Sequence, residues 1–146
     1  MNTLDLEKVL HHEIPLTTAM GISVKALTPN SVSLVAPLNK NINHKSTAFG
    51  GSLYSICVLT GWSLLYSKLD SLGERGHIVI QESNIQYLLP VTTDIETVCT
   101  NDNEVVFDRA IRMYQKKGRA RFILATKVFQ NDHLAVSFEG KYVVHR

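Results

Sequence analysis

Between Ala48 and Ser67 the chain carries no Asp, Glu, Lys, Arg or His. This uncharged run of 20 residues opens on Gly50-Gly51 and follows a polar, Asn-rich loop, NKNINHKSTAF, at 39–49. A helix that is apolar all round has to be buried, so the rest of the chain must fold around it. The segment is also long enough to span a bilayer. It holds Ser52, Ser55, Thr60, Ser63, Ser67 and three glycines, however, and the remaining sequence reads as strands that need a core. A buried core helix is the better reading, and no membrane association is expected.

The start of such a helix has chemical consequences. Its first N–H groups have no partners inside the helix, and they point back at the polar loop with the positive end of the helix dipole behind them. Gly50 and Gly51 carry no Cβ, so a carbonyl oxygen can approach closely. Donors placed this way suit a carbonyl oxygen that becomes negative during reaction, which points to an acyl group as substrate.

The strand pattern lies on both sides of this helix. Thr3–His12 reads as a short amphipathic helix that Pro15 stops. Met20, Ile22, Val24 and Ala26 alternate with polar residues, and after Thr28-Pro29-Asn30-Ser31 so do Val32, Leu34, Ala36 and Leu38, which makes a hairpin. The buried helix, roughly 51–68, ends near Gly73. Strands are expected at 78–89, closed by Pro90, and at 94–100, 119–129 and 134–145, with a tight turn at Asn131-Asp132-His133. Residues 104–115 fit a short helix that Gly118 would end. The fold class is α+β: one domain, residues 1–146, with an antiparallel sheet of about five to six strands wrapped around one long buried central helix.

Other features mainly exclude functions. Cys57 and Cys99 form no disulfide framework, and the six histidines show no metal-ligand spacing, so neither disulfide nor metal site is expected. The N-terminus lacks the apolar run of a signal peptide, and a cytoplasmic location is expected. Net charge is only +2, but Arg109, Arg112, Lys116, Lys117, Arg119 and Arg121 occur together without an acid. The run reads either as a solvated turn or as a landing patch for the phosphates of coenzyme A, an acidic carrier protein or nucleic acid. Nucleic acid is the weakest of these, since only Tyr114 is interleaved as a stacking aromatic.

Three motifs together, N-x-N-H-x-x-x-A-F-G-G-S-L from Asn41, T-G-W from Thr60 and Q-Y-L-L-P-V-T from Gln86, resemble the hotdog-fold thioesterase superfamily. The subgroup they resemble occurs as the C-terminal domain of a bacterial acetyltransferase-like protein, or alone as a short chain. The resemblance implies a homodimer, possibly paired further into a tetramer, with an acyl-thioester site at the interface. That site lies between the central-helix N-terminus of one subunit and the long following strand of the other. It implies an acyl group carried on coenzyme A or acyl carrier protein. No separate cofactor is implied, because coenzyme A or phosphopantetheine is part of the substrate. The subgroup contains thioesterases and enzymes that decarboxylate malonyl-carrier protein.

By that resemblance Asn43 matches the family's active-site Asn, and the Gly51 N–H is the second donor expected. His44, beside Asn43, is a candidate general acid. Phe49 and Gly50 would border the substrate, Ser83 or Asn84 would add a polar group from the partner's strand, and Lys116, Lys117 and Arg119 would meet its anionic part. The chain departs from the commoner pattern at two places. Phe49 stands where relatives often have His, and Ile56-Cys57-Val58 stands where hydrolytic members carry an acid. Hydrolysis needs a base or nucleophile, and Ser55, Cys57 and Glu82 are the remaining candidates. Decarboxylation of a malonyl thioester needs none. The expectation is therefore an acyl-thioester enzyme of the decarboxylase kind, with a thioesterase or a non-catalytic acyl-thioester-binding module as alternatives.

Overall fold

A computed structural model describes residues 1–146. The elements run α1 (Thr3–Glu13), α2 (Leu16–Met20), β1 (Ser23–Thr28), β2 (Ser31–Ala36), α3 (Gly50–Ser71), β3 (His77–Tyr87), β4 (Ile95–Thr100), α4 (Glu104–Lys117), β5 (Arg119–Gln130) and β6 (His133–His145). The six strands form one antiparallel sheet in the order β1-β2-β4-β5-β6-β3. Its inner face, with Leu34, Leu124, Val128 and Phe138, shares one buried cluster with Leu53, Ile56, Leu64 and Leu65 of α3. The helix comes close to β6 because position 61 is glycine: a Cβ there would lie 2.6 and 2.9 Å from ring atoms of Tyr142. The Tyr142 hydroxyl uses that closeness to donate to the Val58 carbonyl at 2.8 Å.

Local signals account for the ends of the elements. Asn2 and Asp5 form a reciprocal capping box at α1. Pro15 does more than stop α1, since it stands at the cap of the short helix α2, which the sequence pattern did not reveal. The ambiguous stretch after Asn103 is a full helix, α4, capped by the Asn103 side chain and closed by Gly118 at φ +75°. Its Phe107 packs on Phe122, with centroids 5.2 Å apart, and its Tyr114 hydroxyl donates to the Arg75 carbonyl.

Two irregularities change which side chains face the helix. The β1–β2 register shifts between Val24 and Ala26, so Ala26 pairs with Ser33 and is exposed; Leu27 faces inward in its place. The β3–β6 register shifts between Ile80 and Glu82. Ile78 and Ile80 face inward before the shift, and Ser83 and Ile85 after it.

The two edges of the sheet are finished differently. On β1, Glu7 of α1 accepts from the Val24 N–H at 2.9 Å, and His11 bonds the Ile22 carbonyl at 2.8 Å. β3 is 11 residues long and its outer edge carries no such cover. Beside that edge α3 is also incompletely covered: Gly51 is exposed, and Ser55, Val58, Trp62 and Tyr66 are half-buried along one side. Trp62 and Tyr66 stack on each other at 5.1 Å. A helix this apolar with one side open, next to a long unpaired edge, leaves both surfaces for another chain. No helix is long and apolar enough to cross a membrane.

Candidate acyl-thioester site at the start of the central helix

The loop 37–49 is held in place by two asparagines. Asn41 is buried; its side-chain amide donates to the Met20 and Pro37 carbonyls at 2.9 and 2.8 Å, and its backbone carbonyl accepts from the Phe49 N–H at 2.7 Å. Asn43 closes the tip. Its Oδ1 accepts from the Lys45 and Thr47 N–H groups at 2.8 and 3.1 Å, while its Nδ2 donates to Thr47 Oγ1 at 2.8 Å. One amide hydrogen of Asn43 remains uncommitted. The half-buried Asn43 thus serves its loop with most of its bonding capacity and still has one donor to offer. His44, next to it, is exposed at the loop surface.

The chain enters α3 through Phe49, whose side chain offers no cap. The first helical bond runs from the Leu53 N–H to the Phe49 carbonyl at 3.0 Å. The N–H groups of Gly50, Gly51 and Ser52 therefore have no partner within the helix. Two aromatic rings border them. The Phe49 ring lies over Gly51, where a Cβ would approach two of its atoms to 3.0 and 3.1 Å and a third more closely. The Tyr87 ring flanks Gly50 at 3.6 Å from the corresponding point, and its hydroxyl donates to the Gly50 carbonyl at 2.9 Å. Burial holds that hydroxyl above the usual phenol range, so it stays a donor at neutral pH. Deeper in, the Tyr54 and Ser83 hydroxyls share a hydrogen bond of 2.8 Å.

Ser83 is thus the member of its pair that faces the helix. Asn84 pairs with Glu139 on the opposite face of the sheet, because successive strand residues alternate. The candidates for hydrolysis are placed away from the corner or tied up. Glu82 lies on that same outer face and meets Lys141 at 3.1 Å. The Ser55 hydroxyl donates back to the Gly51 carbonyl at 2.8 Å. Cys57 is fully buried, and burial pushes its thiol up to about 12, so it is neither ionised nor reachable. The basic run is split: Lys116 and Lys117 are on α4, whereas Arg119 and Arg121 project from the outer face of β5. The sequence alone assigns no role to Tyr54, Tyr87 or Asn41. Tyr87 sits inside the quoted Q-Y-L-L-P-V-T motif, but its link to Gly50 depends on the register shift in β3.

A groove of about 1000 Å³ lies farther along α3, beside the open β3 edge; Val58, Trp62, Tyr66, Ile78 and Ile80 line it, together with the charged or titratable Glu13, Asp70, Glu74, Arg75 and His77. A polar corner rich in N–H donors followed by an apolar groove suits an acyl chain attached through a carbonyl.

Residues 3–146 match the family described as "putative thioesterase (yiiD_Cterm)". The chain belongs to this family. Among solved structures it is similar to a protein of unknown function from Chlorobaculum tepidum TLS, at 27% identity and TM-score 0.94, covering 99% of this chain and 94% of that one. It is also similar to a protein from Shewanella oneidensis described as a "putative thioesterase", at 30% identity and TM-score 0.83, covering 99% of this chain and 97% of that one. A third, from Pseudomonas aeruginosa and described as a probable thioesterase, is 20% identical with TM-score 0.83 over 99% and 96%. The architecture is that of the hotdog-fold thioesterases, as the sequence motifs implied. The family description places this chain among proteins that act on acyl thioesters.

Proposed function

We propose that this chain is an acyl-thioester enzyme that decarboxylates a malonyl group carried on acyl carrier protein or coenzyme A, giving the acetyl thioester. The observation that carries the proposal is the corner at the start of α3. It offers three N–H groups without helical partners at Gly50, Gly51 and Ser52, with one amide hydrogen of Asn43 nearby in sequence, bordered by two aromatic rings. No carboxylate of the same protomer bonds any group of this corner, and the hydroxyls of Tyr54, Ser55, Ser83 and Tyr87 are engaged with one another or with backbone.

The chemistry follows from those parts. The thioester oxygen accepts from the N–H donors. The bond between Cα and the carboxylate carbon breaks, carbon dioxide leaves, and the electron pair moves into an enolate whose charge rests on that oxygen. Water returns a proton to Cα. Each donor aimed at the oxygen is worth about 3 kcal/mol to the transition state. The rings of Phe49 and Tyr87 are half exposed in one protomer; covered by a second copy they would leave the carboxylate poorly hydrated, which favours its loss as a neutral gas.

The site is completed by a second copy. Antiparallel pairing of two β3 edges would satisfy their free backbone groups and cover the open side of α3. Hydrolysis is the second reading, and one observation favours it. The groove of about 1000 Å³ is larger than a malonyl group needs, and in a pair the carboxylates among its charged lining, Glu13 and Asp70 beside Arg75 and His77, would face the other protomer's corner. Incubation with malonyl, acetyl and long-chain thioesters, following carbon dioxide and free thiol separately, decides between them. Carbon dioxide without thiol supports the decarboxylase. Thiol without carbon dioxide means a thioesterase, and binding with neither product means a non-catalytic module.

A further inference from the structure

We propose that the outward face of α4 is the dock for an acidic carrier protein, and that it serves the acyl site of the partner protomer rather than its own. The proposal rests on the acyl-thioester reading above and names how the substrate is delivered.

α4 buries Phe107, Ile111 and Tyr114 on one side. Arg109, Arg112 and Lys116 are exposed on the opposite side, in register with successive turns over about 10 Å. Beside them Val105, Val106 and Met113 are 66%, 54% and 49% exposed. The two acids of the helix, Glu104 and Asp108, are in its first half, and Glu104 is held by the Asn30 side chain at 3.0 Å. A stripe of cations interleaved with exposed apolar side chains matches a helix with acids and apolar residues on one face. A coenzyme phosphate would call for cations converging on one point, which a stripe along a helix does not supply.

The topology assigns the dock to the other protomer. The contacts of Gly50 with Tyr87 and of Tyr54 with Ser83 put the start of α3 beside the end of β3. α4 sits at the other end of α3, where Lys68 lies 5.9 Å over the Phe107 ring and Tyr114 bonds Arg75. The 22 residues of α3 separate the two ends by about 33 Å. Antiparallel pairing of β3 with its own copy sets Tyr87 of one protomer beside His77 of the other. Each acyl corner then faces the partner's α4, and its own lies a helix length away.

The test uses the double variant Arg109→Glu/Arg112→Glu in the full chain, with melting temperature as the folding control. KM for malonyl-carrier protein is expected to rise at least about tenfold, with kcat for malonyl-pantetheine and KM for malonyl-coenzyme A unchanged. An unchanged KM for the carrier substrate overturns the dock. An equal rise for malonyl-coenzyme A assigns the face to coenzyme phosphates instead and overturns it too. Loss of binding to anionic lipid vesicles, with the carrier KM unchanged, assigns it to a membrane surface. If the wild-type protein turns over no thioester, the acyl-thioester reading fails separately, and titration with labelled carrier protein still reads the dock through a Kd that the double variant must weaken. For the partner assignment, the double variant is co-expressed with Asn43→Asp under two tags, and mixed dimers are purified. Docking in trans predicts that mixed dimers regain about half the wild-type kcat/KM on malonyl-carrier protein, well above that of either parent; no gain over the parents overturns the trans arrangement.

Discussion

Replacing Asn43 by Asp separates the two roles that the geometry gives this residue. In the loop, Asn43 Oδ1 accepts from Lys45 and Thr47 and Nδ2 donates to Thr47 Oγ1. Asn43→Ala deletes all three bonds. At about 1 kcal/mol each, moderated by water at an exposed tip, the loss is about 1–2 kcal/mol, and the loop that positions Phe49 and Gly50 loosens with it. Asn43→Asp keeps both accepted bonds, now to a charged oxygen, and the Thr47 hydroxyl can turn to donate in place of the lost amide. The loop therefore holds. What disappears is the free amide hydrogen, and a negative charge replaces it near an oxygen that itself becomes negative. Removing such a donor costs about 10²–10³ in kcat. Asn43→Asp should melt within a few degrees of the wild type while kcat on a malonyl thioester falls by that factor; Asn43→Ala should lose both stability and activity. Thermal melting with steady-state kinetics on the same preparations measures this. Full activity in well-folded Asn43→Asp would show that Asn43 serves only its loop.

Gly61→Ala tests the packing of α3 on β6. Helix propensity alone makes the change stabilising by about 1 kcal/mol. The structure gives the opposite sign: crowding of Tyr142, about 1–3 kcal/mol, and loss of its bond to Val58 outweigh that gain, for a net loss of about 2 kcal/mol in denaturant unfolding. A stabilised variant would refute the close approach. Burial raises Cys57 to about 12 and Cys99 to about 11, from 9.0. Their folded forms keep protons that the unfolded chain loses, so this stability is full below pH 9 and falls as pH rises from 9 towards 11–12. By pH 10 each thiol should cost about 1 kcal/mol, and replacing both by Ala should flatten that slope in urea unfolding. Light scattering at micromolar concentration should give twice the mass of one chain. A stable monomer would remove the completed site.

Much of this architecture is legible in the sequence because its signals are local. A helix without charge has to be central, and β5 alternates Ala120, Phe122, Leu124, Thr126 and Val128 inward with exposed residues that include Arg119, Arg121 and Lys127. The Asn-rich loop before Gly50-Gly51 marks the corner for the same reason. The rest depends on tertiary structure. Register shifts in β1 and β3 leave no mark in the alternation, so Ala26 reads as core, and nothing shows that Ser83 faces α3 while Glu82 and Asn84 do not. The apolar α3 reads as fully buried, yet one chain does not cover Trp62 and Tyr66. The basic run reads as a single patch, although α4 and β5 carry its two halves to different faces. Asn43 reads in the sequence as a donor to substrate, and only the folded loop shows how much of its bonding capacity the turn at 43–47 uses.

The central claim is that the corner at the start of α3 steadies an enolate oxygen with N–H donors and uses no titrating base. The pH dependence of kcat for carbon dioxide release from a malonyl thioester tests it most directly. Of the corner's own groups, the N–H donors and the Tyr87 hydroxyl, none changes charge between about pH 6 and 9. The account predicts a flat profile across that range, with no free thiol formed. A limb near the ordinary range of histidine or of a carboxylate, or thiol release in step with substrate loss, would contradict it.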